Sequence, residues 1–285
     1  MTRRMLSGAV LWGLCLWSPW ALAQGVVIGD ELVVEGLSVR SSHRTSVDLS
    51  LRVSSPLGPR TVPLRKLHEQ VSVTDVRSSS SSGPTSMGVW WSVNHQSDGG
   101  PDGSRSFDLP VVGRGYSVDL AGGAPVVTVA EGELSDAERS IVVQTADLFG
   151  LLHELRAMLP AEMQVGSSVP AGAMFAGIVR DAPGDVQVHG TLTLQEVRGI
   201  DGVQCAMFDL RLQLRSEGEL ESGVRAVFTG DLVGVVAMEV STGWTRRLQV
   251  SGRIDVTGSG TRLGQTFTMV GAGSFLSDTR LEFQR

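Results

Sequence analysis

The chain has 285 residues, 41% of them hydrophobic and 35 of them glycine, and a formal net charge of −6 at pH 7. That length fits one large domain or two modest ones. The acidic balance argues against a nucleic-acid partner, because phosphate contacts need clustered cations; basic clusters such as Arg246-Arg247 are small, and Lys66 is the only lysine.

The first element in chain order is a leader. Arg3 and Arg4 precede the uncharged apolar run Met5 to Trp17, Pro19 ends any helix, and Ala21-Leu22-Ala23 offers the small residues a leader peptidase accepts. Residues 1–23 are therefore expected to be a signal peptide cleaved near Ala23/Gln24, with export to the periplasm, the outer envelope or the medium. The run is shorter than the ~20 apolar residues a span requires. No other stretch reaches that length, so no transmembrane segment is expected in the mature chain. Leu14 stands before Cys15 where a lipobox wants a small residue, which argues against lipid attachment. Without the leader, Cys205 is the sole cysteine; beside Ala206, Met207 and Phe208 it reads as a small buried hydrophobe, and no disulfide staples the fold.

Residues 24–134 read as an N-terminal β portion. In Ser46 to Val53, Val47, Leu49, Leu51 and Val53 share one face, and Asp48, Ser50 and Arg52 the other. Ser78 to Ser82 and Ser97 to Ser106, rich in serine and glycine, predict a flexible loop over about 78–106. Trp90 and Trp91 fall inside it. Paired tryptophans at a loop edge suit a sugar ring or a lipid surface, while the plainer reading has one plug the core and the other cover it. Tyr116 to Leu120 and Val126 to Ala130 flank Ala121-Gly122-Gly123-Ala124 as a hairpin.

Residues 135–160 predict a helical connector. Ser135 and Glu138 form a capping box. Ile141, Val142, Leu148, Phe149, Leu152, Leu155 and Leu159 recur at helical spacing before Pro160, with Gly150 as a point where the helix splits or kinks. Residues 161–285 predict a C-terminal β portion. Alternating stripes run through Val186, Val188, Leu192 and Leu194, then Phe208 to Leu214, then Leu248 to Val256; the apolar run Leu232 to Met238 reads as a more central strand. With one face apolar and one wet, these strands are expected to pair antiparallel.

Motifs for chemistry are missing: there is no G-x-S-x-G, P-loop, H-E-x-x-H or C-x-x-C. The histidines, His43, His68, His95, His153 and His189, lack ligand spacing and read as ordinary surface or capping residues. Asp98-Gly99-Gly100-Pro101-Asp102-Gly103 reads as a turn rather than a calcium loop. No catalytic, cofactor-binding or metal-ligating residue can be named, and no cofactor is expected.

From Pro110 to Gly166 the chain shows an ordered series: Pro110-Val111-Val112-Gly113, Tyr116, Val126-x-Thr128, Gly132, Ser135-x-x-Glu138, the amphipathic helix, Leu159-Pro160 and Val165-Gly166. The series resembles a family of uncharacterised exported bacterial proteins, a domain of unknown function whose members are often taken for lipoproteins. Where that family often places an aromatic residue after Gly166, this chain has Ser167-Ser168-Val169. The resemblance implies β-rich halves around the helical block and no known catalytic residue.

The fold expected is mainly antiparallel β, a sandwich or flattened barrel in two β-rich portions with one helical segment between them. The function expected is that of an exported, non-enzymatic binding or envelope-associated structural protein. The alternative is a carrier of a lipophilic small molecule, held in a β-lined cavity that the helix closes through Leu148, Phe149, Leu152 and Leu155, with Trp90 and Trp91 as further candidate contacts. A hydrolase without a recognisable motif ranks third.

Overall fold

A computed structural model of the chain describes residues 25–31, 35–80, 83–100, 103–120, 124–172, 175, 184–220, 224–262 and 265–284, with the side chains of 147–154 and 262 outside the description. The leader read at 1–23 lies outside the described residues. The fold is mainly β, with one α-helix and 14 strands among the described residues.

Strand β1 is Val26–Val27; β2 (Ser38–Ser55), β3 (Gly58–Ser80), β4 (Gly83–Gly100) and β5 (Gly103–Asp108) follow as successive hairpins. The short strands β6 (Gly115–Asp119) and β7 (Val126–Val129) pair with each other and precede helix α1 (Asp136–Ala157). After the helix come β8 (Glu162–Met163), β9 (Ser168–Pro170), β10 (Asp185–Ile200), β11 (Val203–Leu220), β12 (Val224–Glu239), β13 (Thr245–Arg262) and β14 (Gln265–Gln284).

Twelve strands form one antiparallel sheet in the order β7-β6-β4-β3-β2-β14-β13-β12-β11-β10-β9, with β5 also on β4, and the two end strands do not pair to close a barrel. The first and last long strands are neighbours: β2 pairs with β14 from Ser38↔Gln284 to Ser54↔Thr268, so the two β portions share one sheet. The predicted loop at 78–106 is corrected here. Described residues there belong to β3, β4 and β5, because serines and glycines at the outer strands are held by ladder hydrogen bonds rather than by packed side chains.

Period-two stripes set which face is buried. Leu49 and Leu51, then Phe208, Leu210, Leu212 and Leu214, then Leu248, Val250, Ile254 and Val256 all lie buried on the inner face, as their spacing predicts. The run Leu232 to Met238 behaves differently. Leu232, Val236 and Met238 are buried inside while Val233 is 58% exposed outside, so the strand is two-sided only at its end.

Glycines let this long sheet curl. Gly234, Gly252 and Gly273 lie on the inner stripes, and a Cβ at each would collide with a backbone carbonyl of the adjoining strand, those of Gln249, Asp231 and Asp48 respectively. Small residues therefore stand where neighbouring backbones come closest, and Leu232 and Phe275 fill the space beside Gly252. The β10–β11 turn is Asp201-Gly202, both at positive φ (49° and 82°), the two-residue connection whose twist suits a hairpin.

Helix α1 runs unbroken through Gly150 and touches β6, β7 and β13, so it crosses the inner face. Its first half packs in a cluster with Met87, Val89, Trp91, Tyr116 and Val118 through Val142 and Ala146. Its last turn joins the main core through Leu155, together with Leu159, Met163, Ala171 and Phe175 from the segment that follows. Arg156 locks that end. Its guanidinium is buried and donates to the carbonyls of Gly29 (2.6 Å), Ile28 (3.0 Å) and Leu159 (3.0 Å), placing a cation at the helix C-terminus and tying down the N-terminal segment.

Candidate functional site

Between the two apolar clusters the inner face turns polar. On β2 the buried stripe Val39 to Leu51 passes through Ser41, His43 and Thr45; on β3 it passes through His68, Gln70, Ser72 and Thr74; on β14 through Ser277 and Thr279. Gln70, Ser72, Thr74, Asn94, Ser277 and Thr279 are all buried. A band of hydroxyl, amide and imidazole groups thus runs across neighbouring strands.

A bulge completes the band. Between the pairs Val71↔Val93 and Ser72↔Trp91 the register shifts, and β4 carries one extra residue. Ser92 and Val93 consequently face out together while Trp91 and Asn94 both face in, Trp91 being 1% and Asn94 0% exposed. Trp91 stacks edge-on against Tyr116, ring centroids 5.6 Å apart.

The hydrogen bonds along the band are specific. His43 Nδ1 lies 2.8 Å from Thr279 Oγ1 and its Nε2 lies 2.8 Å from Thr45 Oγ1. His68 Nε2 lies 2.7 Å from Asn94 Oδ1, an amide oxygen that only accepts, so Nε2 carries the proton. The two imidazoles meet edge to face at 6.3 Å. Gln70 Nε2 donates to Thr145 Oγ1 of the helix at 3.5 Å, a contact across the interior.

Three buried polar atoms here have no hydrogen-bond partner among the described residues: Ser72 Oγ, Trp91 Nε1 and Asn94 Nδ2. They sit together in register, Ser72 opposite Trp91 and Gln70 opposite Asn94. A buried polar group left unpaired costs about 1–3 kcal/mol. Two of the three are obligate donors and the serine hydroxyl donates or accepts, so the complement to this spot is an oxygen acceptor.

A second polar cluster, at the helix N-terminus, is fully paired. Glu138 accepts from Tyr116 Oη (2.7 Å), Ser135 Oγ (2.7 Å), Ser135 N (2.9 Å) and Arg114 Nη1, while Ser135 Oγ accepts from Glu138 N at 3.3 Å. The capping box read from the sequence is thus extended by two residues from the sheet. Hydrogen bonds from Tyr116 and Ser135, with the Arg114 charge, bring the Glu138 pKa down to about 2. Burial and the neighbouring carboxylate push the Tyr116 phenol well above its usual range. Each carboxylate oxygen of Glu138 thus accepts two hydrogen bonds, which ties the helix N-terminus to the sheet.

The candidate ligand contacts distribute unevenly. Leu155 is buried in the main core, and the side chains of Leu148, Phe149 and Leu152 lie outside the described residues. Trp90 and Trp91 are not paired on one surface: successive residues of a strand face opposite ways, leaving Trp90 40% exposed outside and Trp91 inside. His43 and His68, read as ordinary residues, are brought into the band by the Thr45↔His68 pairing of β2 and β3. The signal available in the sequence was the interruption of an apolar stripe by Ser41, His43 and Thr45. His95 bonds Asp108 and Ser106 near the surface, His189 is exposed, and the side chain of His153 lies outside the described residues. Among the described residues no three His, Cys, Asp or Glu side chains converge as metal ligands. Cys205 is buried and free, its thiol pushed up in pKa by burial.

No family model matches the chain. No curated protein matches it. Among solved structures it is similar to a DUF1329 family protein from Desulfovibrio piger, 7% identical over 80% of this chain and 83% of that one, with a TM-score of 0.13. It is also similar to the translocator domain of the autotransporter NalP from Neisseria meningitidis, 9% identical over 85% of this chain and 88% of that one, with a TM-score of 0.15. The first of these neighbours comes from an uncharacterised family, and at such TM-scores neither likeness bears on the site.

Proposed function

We propose that the protein is an exported, non-enzymatic binding protein that holds a lipophilic or amphipathic small molecule between the inner face of its sheet and helix α1. The observation that carries this reading is the buried polar band with its unpaired groups, flanked on both sides by apolar residues and crossed by the helix. Binding sites for small molecules have this composition, mostly apolar with a few placed polar groups. Export rests on the leader pattern of residues 1–23.

Native mass spectrometry of protein purified from its own host tests the binding reading. A co-purifying small molecule is expected, and its extraction should lower the melting temperature. Protein that carries no added mass, and whose melting temperature stays constant across a panel of lipids, rules the reading out. Export is checked separately by cell fractionation: deleting residues 1–23 should trap the protein in the cytoplasm, and an unchanged distribution contradicts it.

A further inference from the structure

We infer that Ser72, Trp91 and Asn94 form a receptor for an uncharged oxygen acceptor, an ester or amide carbonyl borne on an apolar chain. The inference rests on the binding reading above and names the chemical class of the molecule bound. Trp91 Nε1 and Asn94 Nδ2 are obligate donors and Ser72 Oγ a third available one, all buried and without a partner among the described residues. The β4 bulge aims Trp91 and Asn94 onto the same face as Ser72.

Among the described residues no arginine or lysine lies on the inner-face stripe beside this spot, which favours a neutral acceptor. Arg114, which lies over the Tyr116 ring, is held by Glu138 and by the carbonyls of Glu131 and Glu133. Arg156 is held by three carbonyls at the far end of the helix, and Lys66 is exposed further along β3. A buried anion without a counter-cation is penalised heavily. Met87, Val89 and Tyr116 on one side, and Val47 and Leu49 on the other, supply the apolar flanks that a hydrocarbon chain requires.

Three probes of matched length separate the possibilities by equilibrium dialysis against the full mature chain: methyl laurate, laurate and dodecane. The ester should bind roughly tenfold more tightly than the alkane, the worth of one or two well-made hydrogen bonds, and more tightly than the carboxylate. Ser72→Ala should remove several-fold of the ester affinity, leave dodecane binding unchanged, and leave the melting temperature of the ligand-free protein unchanged or higher, since it deletes an unpaired hydroxyl. Trp91→Phe should act in the same direction on the ester. Equal binding of ester and alkane, the result expected if these groups hold only a buried water, overturns the inference while the binding reading stands. Preference for laurate also overturns it. Failure of all three probes to bind counts against the binding reading itself.

Discussion

The carboxylate of Glu138 is 3% exposed and is held by one tyrosine, one serine and one arginine. Its pKa of about 2 lies below the ordinary 4.5, so its stabilising effect is complete above the ordinary value and is lost as pH falls from about 4.5 toward 2. Acid titration followed by circular dichroism should show an unfolding limb in that window. Glu138→Gln should flatten the limb and lower the neutral-pH melting temperature, whereas Ser135→Ala should cost only ~1 kcal/mol, the worth of a cap. A different balance governs Arg156, whose removal leaves three carbonyls short of a donor. Arg156→Met is expected to destabilise by roughly 3 kcal/mol in urea unfolding, and to free the N-terminal segment to limited proteolysis.

Strands and helix differ in how far they were legible. The stripes at Ser46 to Val53, at Phe208 to Leu214 and at Leu248 to Val256 announced both strand and buried face, because one residue in two must be apolar when only one face is covered. Helix α1 was legible through its capping box and Pro160. Residues 83–100 were not, since the apolar alternation of Met87, Val89 and Trp91 is short, is broken by the bulge at Ser92 and is flanked by Ser, Gly and Asp that contribute only ladder bonds. The candidate band was hidden for a related reason. It is assembled from short polar interruptions on separate strands, and only the β14–β2, β2–β3 and β3–β4 registers bring them side by side. Curvature has its own requirement at Gly273, where an added Cβ would strike the Asp48 carbonyl. Gly273→Val is expected to cost about 3 kcal/mol or more by strand displacement, measurable as a drop in the urea midpoint and as faster amide exchange in β2 and β14.

At the scale of the molecule, the β2–β14 seam means that neither β portion has a complete sheet alone. A chain ending at residue 160 lacks the partner that covers one side of β2, and a chain beginning at 161 lacks the partner of β14. Each fragment is expected to show weak amide protection. The whole chain should unfold in one transition, checked by coincidence of circular dichroism and tryptophan fluorescence. Two resolved transitions would show that the seam does not couple the halves.

That seam also orders events in time. The strand completing one side of β2 is synthesised more than 200 residues after its mate, and distant pairings of this kind form slowly. Until that strand emerges, the polypeptide has no finished sheet to resist being pulled straight. A translocation channel that accepts only unfolded chains would find this one still threadable.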